Sequence, residues 1–239
     1  MSQLFTLEPP PTNYDLNFRV AGIPVRVHPF FWIVTALLGA SDPRPRAMFT
    51  WILAVFISIL VHELGHALMI RRYGWRPWIT LHGFGGLASY QPTHSTPWSQ
   101  TLIALAGPAA GFLLAGVIIA ALRLAKVGFP FFGYWISSGD HLLNEGLDQF
   151  VFDMLQINLF WGLVNLLPII PMDGSRVTQE VLSRVRPHDG MQISLWLSIF
   201  CAGAMAVIGL ARFNSLYIAL MFGYLAYTSY QILNWSGRR

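Results

Sequence analysis

Two histidines and a glutamate stand close together in the stretch Val61-His62-Glu63-Leu64-Gly65-His66-Ala67. On an α-helix, residues four apart share a face and lie about 6 Å apart along the axis, so His62 and His66 can both reach one metal ion. Glu63 then projects beside them, where a carboxylate can take a proton from a metal-activated water. This His-Glu-x-x-His spacing predicts zinc-assisted hydrolysis, with two neutral imidazoles as ligands and the carboxylate as base. The surroundings sharpen that expectation. From Ala47 to Ile70 the chain is otherwise apolar, and ionisable groups in such a run are costly unless they face a cavity, pair or coordinate something. The blander alternative is a helix whose polar end has merely reached an interface.

A catalytic zinc site needs a third protein ligand and an open position. Cys201 is the single cysteine, so neither an intrachain disulfide nor a multi-cysteine metal site can form. The best candidate ligand is Asp173, in Asn165-Leu166-Leu167-Pro168-Ile169-Ile170-Pro171-Met172-Asp173-Gly174. Pro168 and Pro171 each remove a backbone donor, so a helix should loosen before Asp173. Irregular backbone at membrane depth is tolerated only inside protein or beside water, which places Asp173 in a polar pocket. The alternative there is an Asp-Gly turn that ends a helix. Asn165 is a candidate donor to a developing oxyanion or to the substrate backbone, and equally a candidate for an interhelical hydrogen bond.

The elements that must position these residues are set by composition. Of 239 residues, 54% are hydrophobic and 11% charged, with a mean hydropathy of +0.51. A soluble domain carries roughly a quarter charged residues, so this chain lacks the polar surface to cover a water-exposed globule. The net charge of +4 is spread singly among apolar runs, which excludes the basic patch of a nucleic-acid binder. Charge-poor runs suggest about six spans, over 27–40, 47–70, 97–122, 154–172, 191–211 and 213–235. The expected fold class is an all-α polytopic membrane protein with a short membrane-associated β segment. Lys and Arg number about 10 on the side holding both termini and about 5 on the other, so both termini are expected in the cytosol. Residues 1–19, with Pro9-Pro10-Pro11 and neither a basic start nor an apolar core, read as a flexible cytosolic lead-in and not a cleavable signal.

Two further segments bear on the site. Ile23 to Val27 suits a short strand at the membrane surface, and Ile79 to Tyr90 suits a hairpin around Gly83, Gly85 and Gly86. An exposed edge there could pair with an unwound substrate backbone; an ordinary interfacial loop is the alternative. Gly107, Gly111 and Gly116 give the third span a small-residue face that reads as helix packing. His82 adjoins the glycine segment but has no ligand-spaced partner.

His62-Glu63-Leu64-Gly65-His66 in one span, with Asn165-Leu166-Leu167-Pro168 and Asp173-Gly174 in a later one, resembles the site-2 protease family of intramembrane zinc metalloproteases. Gly22-Ile23-Pro24-Val25, Gly83-Phe84-Gly85-Gly86 and Ala106-Gly107-Pro108 match more loosely. Ile170 and Met172 stand where that family has a proline and a leucine, apolar changes that leave the ligand position untouched. The resemblance runs from about Val20 to Asp173. It implies a single transmembrane metalloprotease domain over 20–239, in a compact form without PDZ or C-terminal regulatory domains. It implies one Zn2+ per chain on His62, His66 and Asp173, and Glu63 as catalytic base. The partners implied are the lipid bilayer, single-span membrane substrates, and an upstream protease or regulatory membrane partner. The expected location is a multi-pass protein of the cell membrane. A zinc-binding scaffold or transporter without proteolysis is the competing class; a transporter should show paired broken helices, and a dead scaffold should have lost Glu63.

Overall fold

The structure is a computed structural model, and it describes residues 8–40, 44–83, 85–93, 96–127, 130–131, 134–135 and 145–236. The apolar runs become helices: α1 (Pro29–Gly39), α2 (Pro45–Arg72), α3 (Pro97–Leu124), α4 (Glu145–Gln156), α5 (Gly162–Asn165), α6 (Asp173–Val185), α7 (Gly190–Ala211) and α8 (Leu216–Ser236). A π-helical turn, Ile157–Trp161, joins α4 to α5. Proline opens α1 and α2, where a missing N–H costs nothing, and the His28 ring accepts from the Phe30 N–H at 3.1 Å to cap α1.

Among the described residues, four helices are long and apolar enough to cross a membrane: α2, α3, α7 and α8. Two of the six expected spans fall short of that. α1 has 11 residues, roughly half the 20 that a crossing needs. The run 154–172 is no single helix: it passes from α4 through the π turn and α5, then leaves helical geometry before Asp173. Large apolar side chains such as Phe200, Val207, Leu220 and Leu113 lie exposed on the long helices. Lipid is the solvent in which such faces are stable.

The β component is larger than the short segment expected. β1 (Leu16–Val20), β2 (Ile23–Val27), β3 (Trp78–His82) and β4 (Gly85–Ser89) form one sheet in that order, parallel between β2 and β3 and antiparallel elsewhere. Ala21 and Gly22 both take positive φ, as a two-residue hairpin turn of type I′ demands. Ile23, Val25, Val27, Ile79 and Leu81 point into a core with Phe31, Val55 and Ala67. Arg26 carries the opposite face. It donates to Asp15 at 3.1 Å, to Glu8 at 3.0 Å and to the Pro9 carbonyl at 2.9 Å, while the Thr80 hydroxyl donates to Glu8 at 2.6 Å. From residue 8 onward the lead-in is thus tied down, and its last part is a strand; residues 1–7 lie outside the described residues. A two-residue pairing, β5 (Pro130–Phe131) with β6 (Tyr134–Trp135), follows α3.

The chain forms two compact units, one of Met1–Thr93 and Ala106–Gly162, the other of His94–Leu105 and Leu163–Arg239. The first contains the sheet and α2, with α4 packed along α2. In the second, α6 packs on α7 and α7 on α8, around Val164, Ile169, Ala202 and Phe222.

Candidate metal centre

In the first unit, His62, Glu63 and His66 are 6%, 5% and 7% exposed on α2. The two Nε2 atoms lie 3.1 Å apart, with ring centroids separated by 4.8 Å and planes at 77°. Two nitrogens bound to one tetrahedral zinc at about 2.0–2.1 Å stand roughly 3.3 Å from each other. The pair already holds that spacing. The contact meets hydrogen-bond geometry, with the donor set by the tautomer. With both imidazoles protonated on Nδ1, two acceptor nitrogens face each other, an arrangement that a cation relieves.

Three glycines make the room. A Cβ on Gly107 of α3 would stand 2.2 Å from His66 Nε2 and 2.7 Å from His62 Nε2. One on Gly65 would stand 2.3 Å from the Ala106 carbonyl oxygen, so α2 and α3 approach backbone to backbone beside the histidines. One on Gly86 of β4 would stand 2.3 Å from Glu63 Cγ. The glycine hairpin expected between Ile79 and Tyr90 is therefore the β3–β4 pair, and its second strand runs against the candidate base. Gly85, paired with His82, has φ +123°, a conformation that favours glycine. Gly83 turns against α1, where a Cβ would meet Phe30 at 2.2 Å. Phe84 lies outside the described residues. His82 is buried, and burial together with the nearby His28 holds its pKa below the ordinary value despite the opposing pull of Glu8.

The second unit carries Asn165 and Asp173. Asn165 ends α5, half-buried, and its carboxamide hydrogen-bonds to no described residue. Asp173, half-buried, is the first residue of α6, preceded by extended Met172. The Asp-Gly pair therefore starts a helix; the alternative of a turn ending one does not hold. Gly174 is required by a close approach, since a Cβ there would stand 2.1 Å from the Leu166 carbonyl oxygen. The Ser175 N–H and hydroxyl both donate to Met172 O, at 3.0 and 2.7 Å, bracing the turn around Asp173.

Two features were not legible in the motif. Asn158, in the π turn and 3% exposed, donates to Ser58 Oγ at 2.8 Å and to Met154 O at 2.7 Å. Ser58 stands one helical turn before His62, so this bond braces α2 from the π turn. Gly107, expected to serve helix packing, packs against the imidazole pair itself. The signal for both was present only as small or polar residues inside apolar runs.

The chain matches the family model described as Peptidase family M50 over residues 50–135 and 123–207. It is 26% identical to a zinc metalloprotease of Methanocaldococcus jannaschii, over 72% of this chain and 47% of that protein. It is 29% identical to the stage IV sporulation protein FB of Bacillus subtilis, over 68% of this chain and 49% of that one. The chain thus spans about half the length of these curated relatives. Among solved structures, the site-2 protease from Methanocaldococcus jannaschii shares its fold, with a TM-score of 0.59, 23% identity, and coverage of 92% of this chain and 95% of that one. Apolar helices and these relatives together make it an integral membrane protein. With the family model covering more than half of its residues, the chain belongs to the site-2 protease family, peptidase family M50.

Proposed function

We propose that the protein is an intramembrane zinc endopeptidase, cutting a peptide bond within or near the transmembrane segment of a membrane protein. The observation that carries this reading is the buried imidazole pair, spaced for one metal ion and adjoining Glu63. His62, His66 and Asp173 form the donor set; among the described residues they are a group of side chains that could hold one metal ion. Two imidazoles and one carboxylate are a catalytic zinc set that leaves the fourth position open. These residues would hold zinc, which would supply Lewis-acid chemistry: acidification of the attacking water toward neutral pH and polarisation of the scissile carbonyl. Glu63 takes the proton of the attacking water and delivers it to the leaving amine nitrogen. Asn165, with its carboxamide uncommitted to the described residues, orients the scissile carbonyl or the neighbouring backbone of the substrate.

A helical substrate hides its peptide bonds in its own hydrogen bonds, so it must be held extended before it can be cut. β4 is an edge of the sheet, and Gly86 on it abuts Glu63. Main-chain pairing along β4, with Gly83 and Gly85 shaping the turn, supplies that extended hold next to the base. Single-span membrane proteins are the substrate class, with an upstream protease or membrane regulator as partner. In this reading α1 and the α4–α5 segment join the four long helices to make about six passes, with both termini in the cytosol of the cell.

The deciding experiment co-expresses candidate single-span substrates with wild type or Glu63→Gln. Cleavage should fall roughly 100- to 10,000-fold in Glu63→Gln while zinc stays bound. Equal cleavage by both proteins sinks the assignment of the base. Purified Asp173→Ala should lose zinc affinity; unchanged binding removes Asp173 from the ligand set.

A further inference from the structure

The backbone between Asn165 and Asp173 leaves helical geometry, and its donors can be followed one by one. Leu166 donates to Leu163 O at 3.2 Å, Leu167 to Val164 O at 3.0 Å, Ile169 to Leu167 O at 2.8 Å and Met172 to Ile169 O at 2.7 Å. Pro168 and Pro171 have no N–H to satisfy. The remaining donor is the N–H of Ile170, and a side chain meets it: Ser198 Oγ of α7, at 2.9 Å.

Ser198 is fully buried, and its Oγ lies 2.8 Å from Oγ of Ser229 on α8, itself fully buried. The direction of the chain follows from counting hydrogens. A serine hydroxyl has one hydrogen to donate. That of Ser229 goes to Leu225 O, one turn back along α8, at 2.9 Å. Ser229 therefore accepts from Ser198, and Ser198 accepts from Ile170. The outcome is a one-way relay in which Ile170 donates to Ser198, Ser198 to Ser229 and Ser229 to the Leu225 carbonyl. Each bond polarises the next, and no donor in it is left over.

Ile170 is tied onward to the candidate ligand. Its neighbour Ile169 accepts from Met172, Met172 accepts twice from Ser175, and Gly174 presses on the Leu166 carbonyl. Whatever fixes the Ile170 amide fixes the start of α6, where Asp173 stands. We propose that the Ser198–Ser229 hydroxyl pair is a positioning device of the metal site, holding the Ile170 amide and through it the Asp173 carboxylate. This rests on the reading of Asp173 as third zinc ligand. α7 and α8 have their own apolar interface around Ala202 and Phe222, so the hydroxyls are not needed to join the helices. Removing Ser198 Oγ strands the N–H of half-buried Ile170, which no backbone carbonyl takes.

The test uses the full chain in detergent, comparing wild type with Ser198→Ala, Ser229→Ala, Asp173→Ala and Thr228→Ala. Thr228 bonds only back to Tyr224 O on an exposed face of α8, at 2.9 Å, and so controls for the loss of a hydroxyl. Zinc affinity is read by chelator competition, and ligand geometry by the visible spectrum of the cobalt(II) form. Ser198→Ala should weaken zinc about tenfold and shift the cobalt bands, as loss of a supporting partner does at metal sites. Ser229→Ala, which keeps the Ile170 bond but unmoors its acceptor, should do the same to a smaller extent and decides the matter if Ser198→Ala does not fold. Thr228→Ala should match wild type. Wild-type affinity and spectrum in both serine variants, with at most a lower melting temperature, overturn the positioning role alone. Unchanged zinc affinity in Asp173→Ala overturns the ligand assignment, and the positioning role falls with it.

Discussion

A single methyl group on Gly107 is expected to disable the metal site. The added Cβ would stand 2.2 Å from His66 Nε2, 2.5 Å from its Cε1 and 2.7 Å from His62 Nε2. Carbon and nitrogen rest comfortably at about 3.5 Å, so something must yield by roughly 1 Å. Separating the helices would open the contact of Gly65 with the Ala106 backbone, and swinging the imidazoles would break the 3.1 Å pair. Overpacking of this kind costs about 1–3 kcal/mol. At tenfold per 1.4 kcal/mol, zinc affinity in Gly107→Ala should fall roughly 5- to 150-fold.

Intrinsic helix preference pulls the other way, because alanine favours a helix over glycine by about 0.8–1.0 kcal/mol. Gly116, on the same helix, gives that baseline, since a Cβ there meets nothing within 4 Å among the described residues. Gly116→Ala should bind zinc like wild type and melt at the same temperature or higher. Both variants are titrated with zinc by chelator competition in detergent, and melted without metal. Equal zinc affinity in Gly107→Ala and Gly116→Ala would refute the claim that α3 makes room for the imidazole pair.

Gly86→Val, which drives a side chain into Glu63 Cγ, should cut substrate cleavage about a hundredfold while zinc remains bound; normal cleavage would separate β4 from the base. Asn158→Leu removes the bonds to Ser58 and Met154 and should cost about 1–2 kcal/mol of stability in detergent, so an unchanged melting temperature counts against this brace of α2. At the N-terminal clamp, burial raises Asp15, but the Thr12 hydroxyl, the Thr12 N–H and Arg26 override it and bring its pKa to about 2, against an ordinary 3.8. The folded value is the lower one, so this stabilisation is complete above about pH 4 and is lost as pH falls through 2. Pepsin should therefore begin to cut within residues 8–15 between those limits, and protection persisting at pH 2 would show that Asp15 does not hold the segment.

The parts of the fold legible in the sequence are those whose signal is local. α2, α3, α7 and α8 begin and end within a few residues of the apolar runs, because lipid-facing helices need only length and hydropathy. β2 and the β3–β4 hairpin follow from alternation and from glycine. β1 is not legible in the sequence because it is an edge strand after a proline-rich stretch, and its place is set by pairing with β2 and by the charges that Arg26 gathers. The break in 154–172 was foreseen at the prolines, yet its start at the π turn was not. There Asn158 bonds across to Ser58, a residue 100 positions away.

The site divides along the same line. His62, Glu63 and His66 are visible because one helix carries all three at fixed spacing. The space they occupy is not, since a glycine in an apolar helix looks the same whether it admits another helix or an imidazole. Only the fold distinguishes Gly107, facing the histidines, from Gly116, where an added Cβ would meet no described residue within 4 Å. Serines behave likewise. In an apolar helix a hydroxyl ordinarily bonds back to the carbonyl one turn earlier, as Thr228 does to Tyr224. Ser198 instead takes the one N–H between Leu166 and Met172 that the backbone leaves over. The prolines that loosen the chain before Asp173 thus create a donor problem that α7 and α8 solve. In this chain the two helices after the ligand motifs, which carry no signature residue, are part of what holds the motif in place.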